Sequence, residues 1–190
     1  MLKGEEWDEI KASERAAAIR KEMPLNQGPS FESVSASGIN SALPHYEATE
    51  VTNSKINQSA VYTLDSGGHY LGECKNMSLF FRQGEMLRFF NKNRFLNPDG
   101  TTDVTRTIFI GTPEDIHKEV YTRLLSGCIT LASTIFPMGA NQAALDIMVR
   151  GPLYSAGMDF GHGTGHGIGH FGNVHEGDFF YNLHLRKLIW

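Results

Sequence analysis

Three histidines stand four residues apart in a stretch in which glycine occupies every second position. The stretch covers residues 161–170 and reads GHGTGHGIGH, with imidazoles at His162, His166 and His170. Imidazoles bind transition metals and exchange protons near neutral pH. A helix is excluded as their carrier, because each interior glycine costs a helix roughly 1 kcal/mol relative to alanine. The absence of an HExxH pattern also excludes the helical zinc-protease motif.

An extended backbone makes better use of the alternating glycines. Side chains alternate between the two faces of a strand, so His162, His166 and His170 would share one face. The bare glycine face would let another backbone or a ligand approach closely. A flexible Gly/His tract that binds metal adventitiously is the alternative. Thr164 and Ile168 fall in phase with the histidines, and we therefore expect an ordered strand.

Carboxylates and further histidines could complete a site beside this strand. Asp65 ends the strand-like AVYTLD, and Asp103 precedes the strand-like VTRT. Carboxylates on adjacent strands hold paired divalent ions about 4 Å apart, although each aspartate could instead cap a turn beside glycine. His175 follows in NVHEG, whereas His45 in LPHYEAT is a lone loop histidine that by itself indicates little.

Helices and strands around these groups follow from local patterns. A Thr-Pro-Glu-Asp run predicts a helix start, with Thr112 as the cap and Pro113 at the first helical position. We expect the apolar stripe of this helix at Ile116, Val120 and Leu124. The predicted elements are a helix over 4–22, strands over 60–65 and 105–110, a helix from Thr112 to about Ser133, and a helix opened by Gly139 and Asn141 and closed by Pro152 and Gly157, with Leu145, Met148 and Val149 facing inward.

Composition limits the class of protein. The 190 residues suffice for one domain, and the net charge of −4 argues against a nucleic-acid partner. No apolar run of about 18 residues could span a membrane, and the acidic start does not resemble a signal peptide. Cys74 and Cys128 form no disulfide framework. We therefore expect a cytoplasmic protein.

Three motifs, in order, resemble the Xaa-Pro aminopeptidases, the proline-specific branch of the creatinase and methionine-aminopeptidase-like metallopeptidases. They read VYTLDSGGHY, DGTTDVTRT and HGTGHGIGHFGNVHEG. The resemblance implies the α+β pita-bread fold, a curved antiparallel sheet with flanking helices, incomplete at the C-terminus. It also implies two Mn²⁺ ions in a complete site. Asp65 would bind one ion, Asp103 would bind both, and His166 would bind the other.

The same resemblance implies the substrate and the residues that hold it. The substrates would be peptides with proline at the second position, which lose their N-terminal residue by hydrolysis. His175 and His45 would bind the substrate and stabilise the transition state, and His162 would shape the proline subsite. A homodimer is an expectation for the complete family member.

Two segments depart from this family pattern. The expected domain organisation is a partial catalytic domain over 1–177, with a non-family insertion at 72–98 and a non-family tail at 178–190. The insertion holds five of the 12 phenylalanines and five basic residues against two acidic ones. Two further glutamate ligands of the family are expected downstream of NVHEG, and their motifs are not found in this sequence. We therefore expect weak metal binding and little activity from this chain alone.

Other functions remain open at this point. A catalytically dead member of the family could act as a binding or regulatory partner of full-length subunits. A relative with other chemistry, such as a creatinase or a peptide binder, is a further alternative. HGTGHGIGH followed by NVHEG favours the aminopeptidase branch.

Overall fold

The computed structural model describes residues 6–57, 59–71, 99–137, 140, 142–169 and 171–175. Two compact units divide these residues. The first unit takes the described parts of 1–74, 96–113 and 168–175, and the second takes those of 114–167. The expected insertion at 72–98 and the expected tail at 178–190 lie outside the described residues. Within the described part, the helices are too short or too polar to cross a membrane.

The first helix of the first unit is α1, Glu9–Lys21. It begins where the side chain of Asp8 accepts a hydrogen bond of 2.8 Å from the Lys11 amide, as N-cap residues do. Arg20 in its last turn donates to the Ser66 carbonyl at 2.7 Å and to the Ser66 hydroxyl. That contact ties the end of α1 to the residue that follows Asp65.

A three-stranded antiparallel sheet forms the centre of the first unit. Its order is β2 (Val34–Ser37), β3 (Ala60–Ser66) and β6 (Val104–Ile110). A single turn of 3-10 helix, Gly38–Ala42, follows β2. The small core of this unit consists of Val34, Ala36 and Tyr46, with Ala48 packed against it.

A second antiparallel sheet joins β1 (Asn26–Pro29), β4 (Gly68–Tyr70) and β5 (Gly100–Thr101), in that order. The two sheets meet around Gly67, which lies between β3 and β4. A Cβ at Gly67 would overlap the Thr102 carbonyl oxygen and come within 2.8 Å of the Phe31 ring. Glycine is therefore needed here because the backbones approach too closely for any side chain.

The second unit contains two helices, α2 (Asp115–Ser133) and α3 (Gln142–Tyr154). They approach closely at Gly127, where a Cβ would lie 2.5 Å from the Val149 carbonyl oxygen. Leu145, Val149 and Leu153 of α3 are buried at this interface side of the helix. Arg123 of α2 donates a hydrogen bond of 2.9 Å to the carbonyl of Pro152, which closes the helix pair.

Several predicted elements are confirmed, with shifted ends. The strands predicted at 60–65 and 105–110 are β3 and β6, and the first helix is shorter than predicted. The inward positions Leu145 and Val149 are buried, and Met148 is partly buried. α3 ends at Tyr154, between the two predicted closing residues Pro152 and Gly157. Gly157, with a φ of +69°, donates its amide to the Tyr154 carbonyl just beyond the helix.

The predicted start of α2 is wrong. The N-cap is Glu114, in an extended conformation, so Thr112 and Pro113 precede the helix. The predicted stripe is also partly wrong, because Ile116 is exposed whereas Val120 and Leu124 are partly buried. Gly127 explains the difference, since the closest helix contact lies one turn beyond the predicted stripe.

Candidate active site

Asp65 and Asp103 lie at the same end of the sheet formed by β2, β3 and β6. Asp65 is the second-last residue of β3 and pairs with Thr105 of β6. Asp103 immediately precedes β6, two residues before Thr105. The close approach at Gly67 and Thr102 holds this end of both strands together. The two predicted strands are thus paired neighbours, with Asp65 on β3 and Asp103 immediately before β6.

Asp103 and His175 are brought together from distant parts of the chain. Their ligand atoms lie within 4.8 Å of each other. Ile168 forms an isolated antiparallel bridge with His175, and the amide of Gly169 donates to the Val174 carbonyl at 2.8 Å. The Phe171 ring packs on the His69 ring of β4, with centroids 5.0 Å apart. The turn from Ile168 to His175 is thus closed by backbone contacts between its ends and packs on β4 through Phe171.

His45 occupies an exposed loop position next to a buried anchor. Tyr46, the next residue, donates from its hydroxyl to Glu9 at 2.7 Å and to the Thr52 carbonyl at 2.9 Å. Burial raises the pKa of the Tyr46 phenol above its usual value, and the neighbouring Glu9 carboxylate adds to the increase. The hydrogen bonds of Tyr46 therefore fix the backbone position of His45, the residue next to it.

Glu9 is fully buried and, in the described part of the chain, accepts hydrogen bonds from four residues and forms no ion pair. The donors are the Ser37 amide at 2.6 Å, the Ser54 amide at 2.8 Å, the Tyr46 hydroxyl and the Asn40 side-chain amide. A buried carboxylate is tolerated when its oxygens are satisfied in this way. Glu9 therefore joins α1, the end of β2 and the loop that carries His45.

The expectation that the histidine stretch forms an ordered strand is wrong. Residues 161–167 adopt bends and irregular backbone, and His162 and His166 are both exposed. Thr164 instead turns inward and donates a hydrogen bond to Asp146. The physical reason is that helix α3 binds this stretch through side chains, so no neighbouring strand is required. His170 lies outside the described residues.

Arg150 of α3 is the centre of these contacts. Its guanidinium donates to Asp146 at 2.7 Å, to Asp159 at 2.7 Å, to the Phe160 carbonyl at 2.7 Å and to the His162 carbonyl at 2.6 Å. Burial alone lowers the pKa of Arg150, but hydrogen bonds and charge attraction to Asp159 and Asp146 outweigh burial and raise it above its ordinary value. The guanidinium stays charged and holds the backbone that leads into the histidines.

The ring nitrogens of two histidines lie close to carbonyls of their own stretch. The Nδ1 atom of His162 lies 2.8 Å from the Gly163 oxygen, and that of His166 lies 2.9 Å from the Gly167 oxygen. A carbonyl accepts only from a protonated nitrogen, so in the tautomer protonated at Nδ1 each ring donates to its carbonyl and carries its lone pair on Nε2. His166 in this tautomer has the donor atom that a metal requires.

Reasoning from the sequence missed Arg150 and Glu9. The Asp146 and Arg150 pair was visible as oppositely charged residues four apart on a predicted helix. Its burial was not visible, because it depends on residues 159–164 returning to the helix. Nothing in the sequence marked Glu9, which follows Asp8 in an ordinary acidic helix start.

Comparisons with known proteins identify the family of the chain. The model of metallopeptidase family M24 matches residues 3–91 and 96–188. The chain is 41% identical to the human protein Xaa-Pro aminopeptidase 2 over 169 residues, which is 89% of this chain and 21% of that protein. It is 39% identical to the probable Xaa-Pro aminopeptidase P of Tuber melanosporum over 179 residues, which is 94% of this chain and 25% of that protein.

A solved structure gives the same result for the fold. The X-prolyl aminopeptidase from Caenorhabditis elegans, described as a cytosolic enzyme with a dinuclear active site, superposes with a TM-score of 0.74 at 36% identity. The match covers 94% of this chain and 25% of that one. The chain thus spans about a quarter of the length of its relatives, and the expected pita-bread fold is confirmed. The chain belongs to metallopeptidase family M24.

Proposed function

We propose that this chain is part of the catalytic domain of a cytoplasmic metalloaminopeptidase that removes the N-terminal residue from peptides with proline in second position. The observation that carries the proposal is the proximity of Asp103 and His175, whose ligand atoms lie within 4.8 Å. The names of the relatives, Xaa-Pro aminopeptidases, supply the substrate class.

The donor set fits divalent cations such as Mn²⁺. Hard carboxylate oxygens with one imidazole suit manganese among the divalent metals. Asp65 and Asp103 would hold two ions from neighbouring strands, and His166 would add its Nε2 atom. When bound, the ions act as Lewis acids that polarise the peptide carbonyl and lower the pKa of water towards neutrality.

The remaining histidines of the proposed site act on the peptide itself. His175, whose ligand atom lies near that of Asp103, would donate a hydrogen bond to the oxygen that gains charge during the reaction. His45, held by buried Tyr46, would bind the peptide and assist the same step. His162 would border the subsite for proline.

Paramagnetic broadening of histidine signals tests the proposal in the chain as it exists. Mn²⁺ is titrated into protein with ring-labelled histidine, and each signal is assigned by its own His→Gln variant. We expect the His175 signal to broaden as Mn²⁺ is added. The experiment measures metal binding and not peptide hydrolysis, because the chain spans about a quarter of the length of these relatives.

Two variants complete this test. Asp103→Asn should keep the His175 signal sharp, because the carboxylate that would hold the ions is lost. Asp115→Asn is the matched control, since Asp115 is an exposed aspartate paired with Lys118, and it should behave as the unchanged protein. Equal broadening of His175 with and without Asp103 would overturn the proposal.

A further inference from the structure

Most of the hydrogen bonds of Arg150 reach beyond its own helix, to the segment that leads into the histidine stretch. It is 3% exposed, and its partner Asp146 is 7% exposed. Four of its bonds have been described, to two carboxylates and two backbone carbonyls. Only the bond to Asp146 lies within α3. The other three reach residues 159–162, which lead directly into the histidines.

The guanidinium also orders an aromatic pair. It lies over the Phe160 ring, with its carbon 3.9 Å from the ring centroid. The Phe160 ring contacts that of His162, with centroids 4.8 Å apart. An arginine over an aromatic face gains cation–π attraction, which is largest where water is excluded. Arg150 therefore acts on His162 in two ways. It donates directly to the His162 carbonyl, and it packs on the Phe160 ring, which in turn contacts the His162 ring.

Asp146 fixes the stretch from the other side of the same ion pair. One of its oxygens accepts from Arg150 at 2.7 Å, and the other accepts from the Thr164 hydroxyl. Asp159 accepts from Arg150 and also from the Phe160 amide at 2.8 Å. Asp159 and Phe160 before His162, and Thr164 after it, are thus bound to the buried ion pair of Arg150 and Asp146.

We propose that Arg150 is a positioning residue that fixes the backbone of residues 159–164 and thereby the orientation of the His162 ring. The consequence for recognition of proline rests on the proposed function of His162. The physical claim stands on the contacts of Arg150 alone. Lysine cannot replace Arg150, because a single ammonium cannot point donors at four acceptors spread around a planar fork.

The test measures the His162 ring by NMR in metal-free protein with ring-labelled histidine. Arg150→Lys keeps the charge between Asp146 and Asp159 but loses the fork. We expect it to displace the His162 signal and to abolish the nuclear Overhauser effect between the Phe160 and His162 rings. The His117 signal should not move. No metal is added, so the outcome is independent of the Mn²⁺ titration that tests the proposed function.

Two further variants keep the test decisive. Asp159→Ala removes a half-exposed partner and folds even if Arg150→Lys does not; it should displace the His162 signal in the same direction by a smaller amount. Arg123→Lys is the matched control, because Arg123 binds Glu119 and the Pro152 carbonyl on the neighbouring helix. Its His162 signal should stay in place.

The proposal is overturned if His162 keeps its signal and its contact with Phe160 in folded Arg150→Lys or, should that variant not fold, in Asp159→Ala. It is also overturned if Arg123→Lys displaces His162 as much as Arg150→Lys does, because the effect would then be a general loosening of the helix pair.

Discussion

The hydroxyl of Tyr46 donates a hydrogen bond of 2.7 Å to the carboxylate of Glu9, a residue with no exposed surface. This bond joins the loop that carries His45 to the first turn of α1. Two backbone amides and the Asn40 side chain share the same carboxylate. The stability of the first unit should therefore depend on a charge that makes no ion pair in the described part of the chain.

Glu9→Ala should destabilise the protein by more than about 3 kcal/mol, because each hydrogen bond to a charged group contributes roughly 1.5–3 kcal/mol and several buried donors lose their acceptor. Glu9→Gln should lose less, since the amide keeps one accepting oxygen. Urea unfolding gives both values. Glu14→Gln, on the exposed side of α1, is the control and should change little. A Glu9→Ala protein with an unchanged urea midpoint would contradict this role.

Alkaline pH should weaken the fold through buried phenols. Burial raises the pKa values of Tyr46 and Tyr62, so the unfolded chain loses these protons at lower pH than the folded protein. The contribution is complete below the unfolded pKa of about 10 and is lost as pH rises through the folded pKa. Urea midpoints at about pH 8 and about pH 11 should show the loss, and Tyr46→Phe should reduce the difference. An equal decrease in Tyr46→Phe would show that other groups are responsible.

Two glycines in the helix pair should respond differently to alanine. Gly127→Ala places a Cβ 2.5 Å from the Val149 carbonyl oxygen, and overpacking of this kind costs about 1–3 kcal/mol. Gly151→Ala meets no atom within 4 Å apart from its chain neighbours, and its gain in helix propensity is opposed by the Pro152 ring, which disfavours helical geometry in the residue before it; it should destabilise the protein less than Gly127→Ala. Thermal melting of both variants checks the pair. A Gly127→Ala protein that melts at or above the temperature of the unchanged chain would contradict the close contact at Gly127.

Much of the fold could be predicted from local patterns, and the errors have a common cause. The strands at 60–66 and 104–110 followed from short apolar runs beside turn residues, and Leu145 and Val149 from helical spacing. The start of α2 was misplaced, because Thr112 and Pro113 form an acceptable cap locally but the helix begins at Asp115. The position of its stripe depends on Gly127 and Val149, which only the packed helices reveal.

The candidate site shows the same division between local and distant information. The pairing of the two strands that lead to Asp65 and Asp103 is confirmed, and their shared role in holding metal stays a prediction. The histidine stretch was predicted as a strand from its alternation, but residues 161–167 are held by Arg150 and Asp146 from α3. Alternation describes which face a side chain would take, and it does not supply the partner strand that a sheet requires.

Deletion of residues 72–98 tests a prediction made from the sequence alone, since this segment lies outside the described residues. The segment carries five phenylalanines and a net positive charge. Its apolar residues form no sustained helical stripe across Gly84. Exposed phenylalanines promote association, so the deletion should raise both soluble yield and melting temperature. A lower melting temperature would instead show that the segment packs into the fold.

The central claim is that Asp103 holds metal while His45 serves the peptide. The most direct measurement is the electron paramagnetic resonance signal of free Mn²⁺ during titration of the unchanged chain, Asp103→Asn and His45→Ala. We predict that Asp103→Asn leaves nearly all the Mn²⁺ free, whereas His45→Ala binds as much as the unchanged chain. Equal Mn²⁺ binding by the two variants would contradict the account.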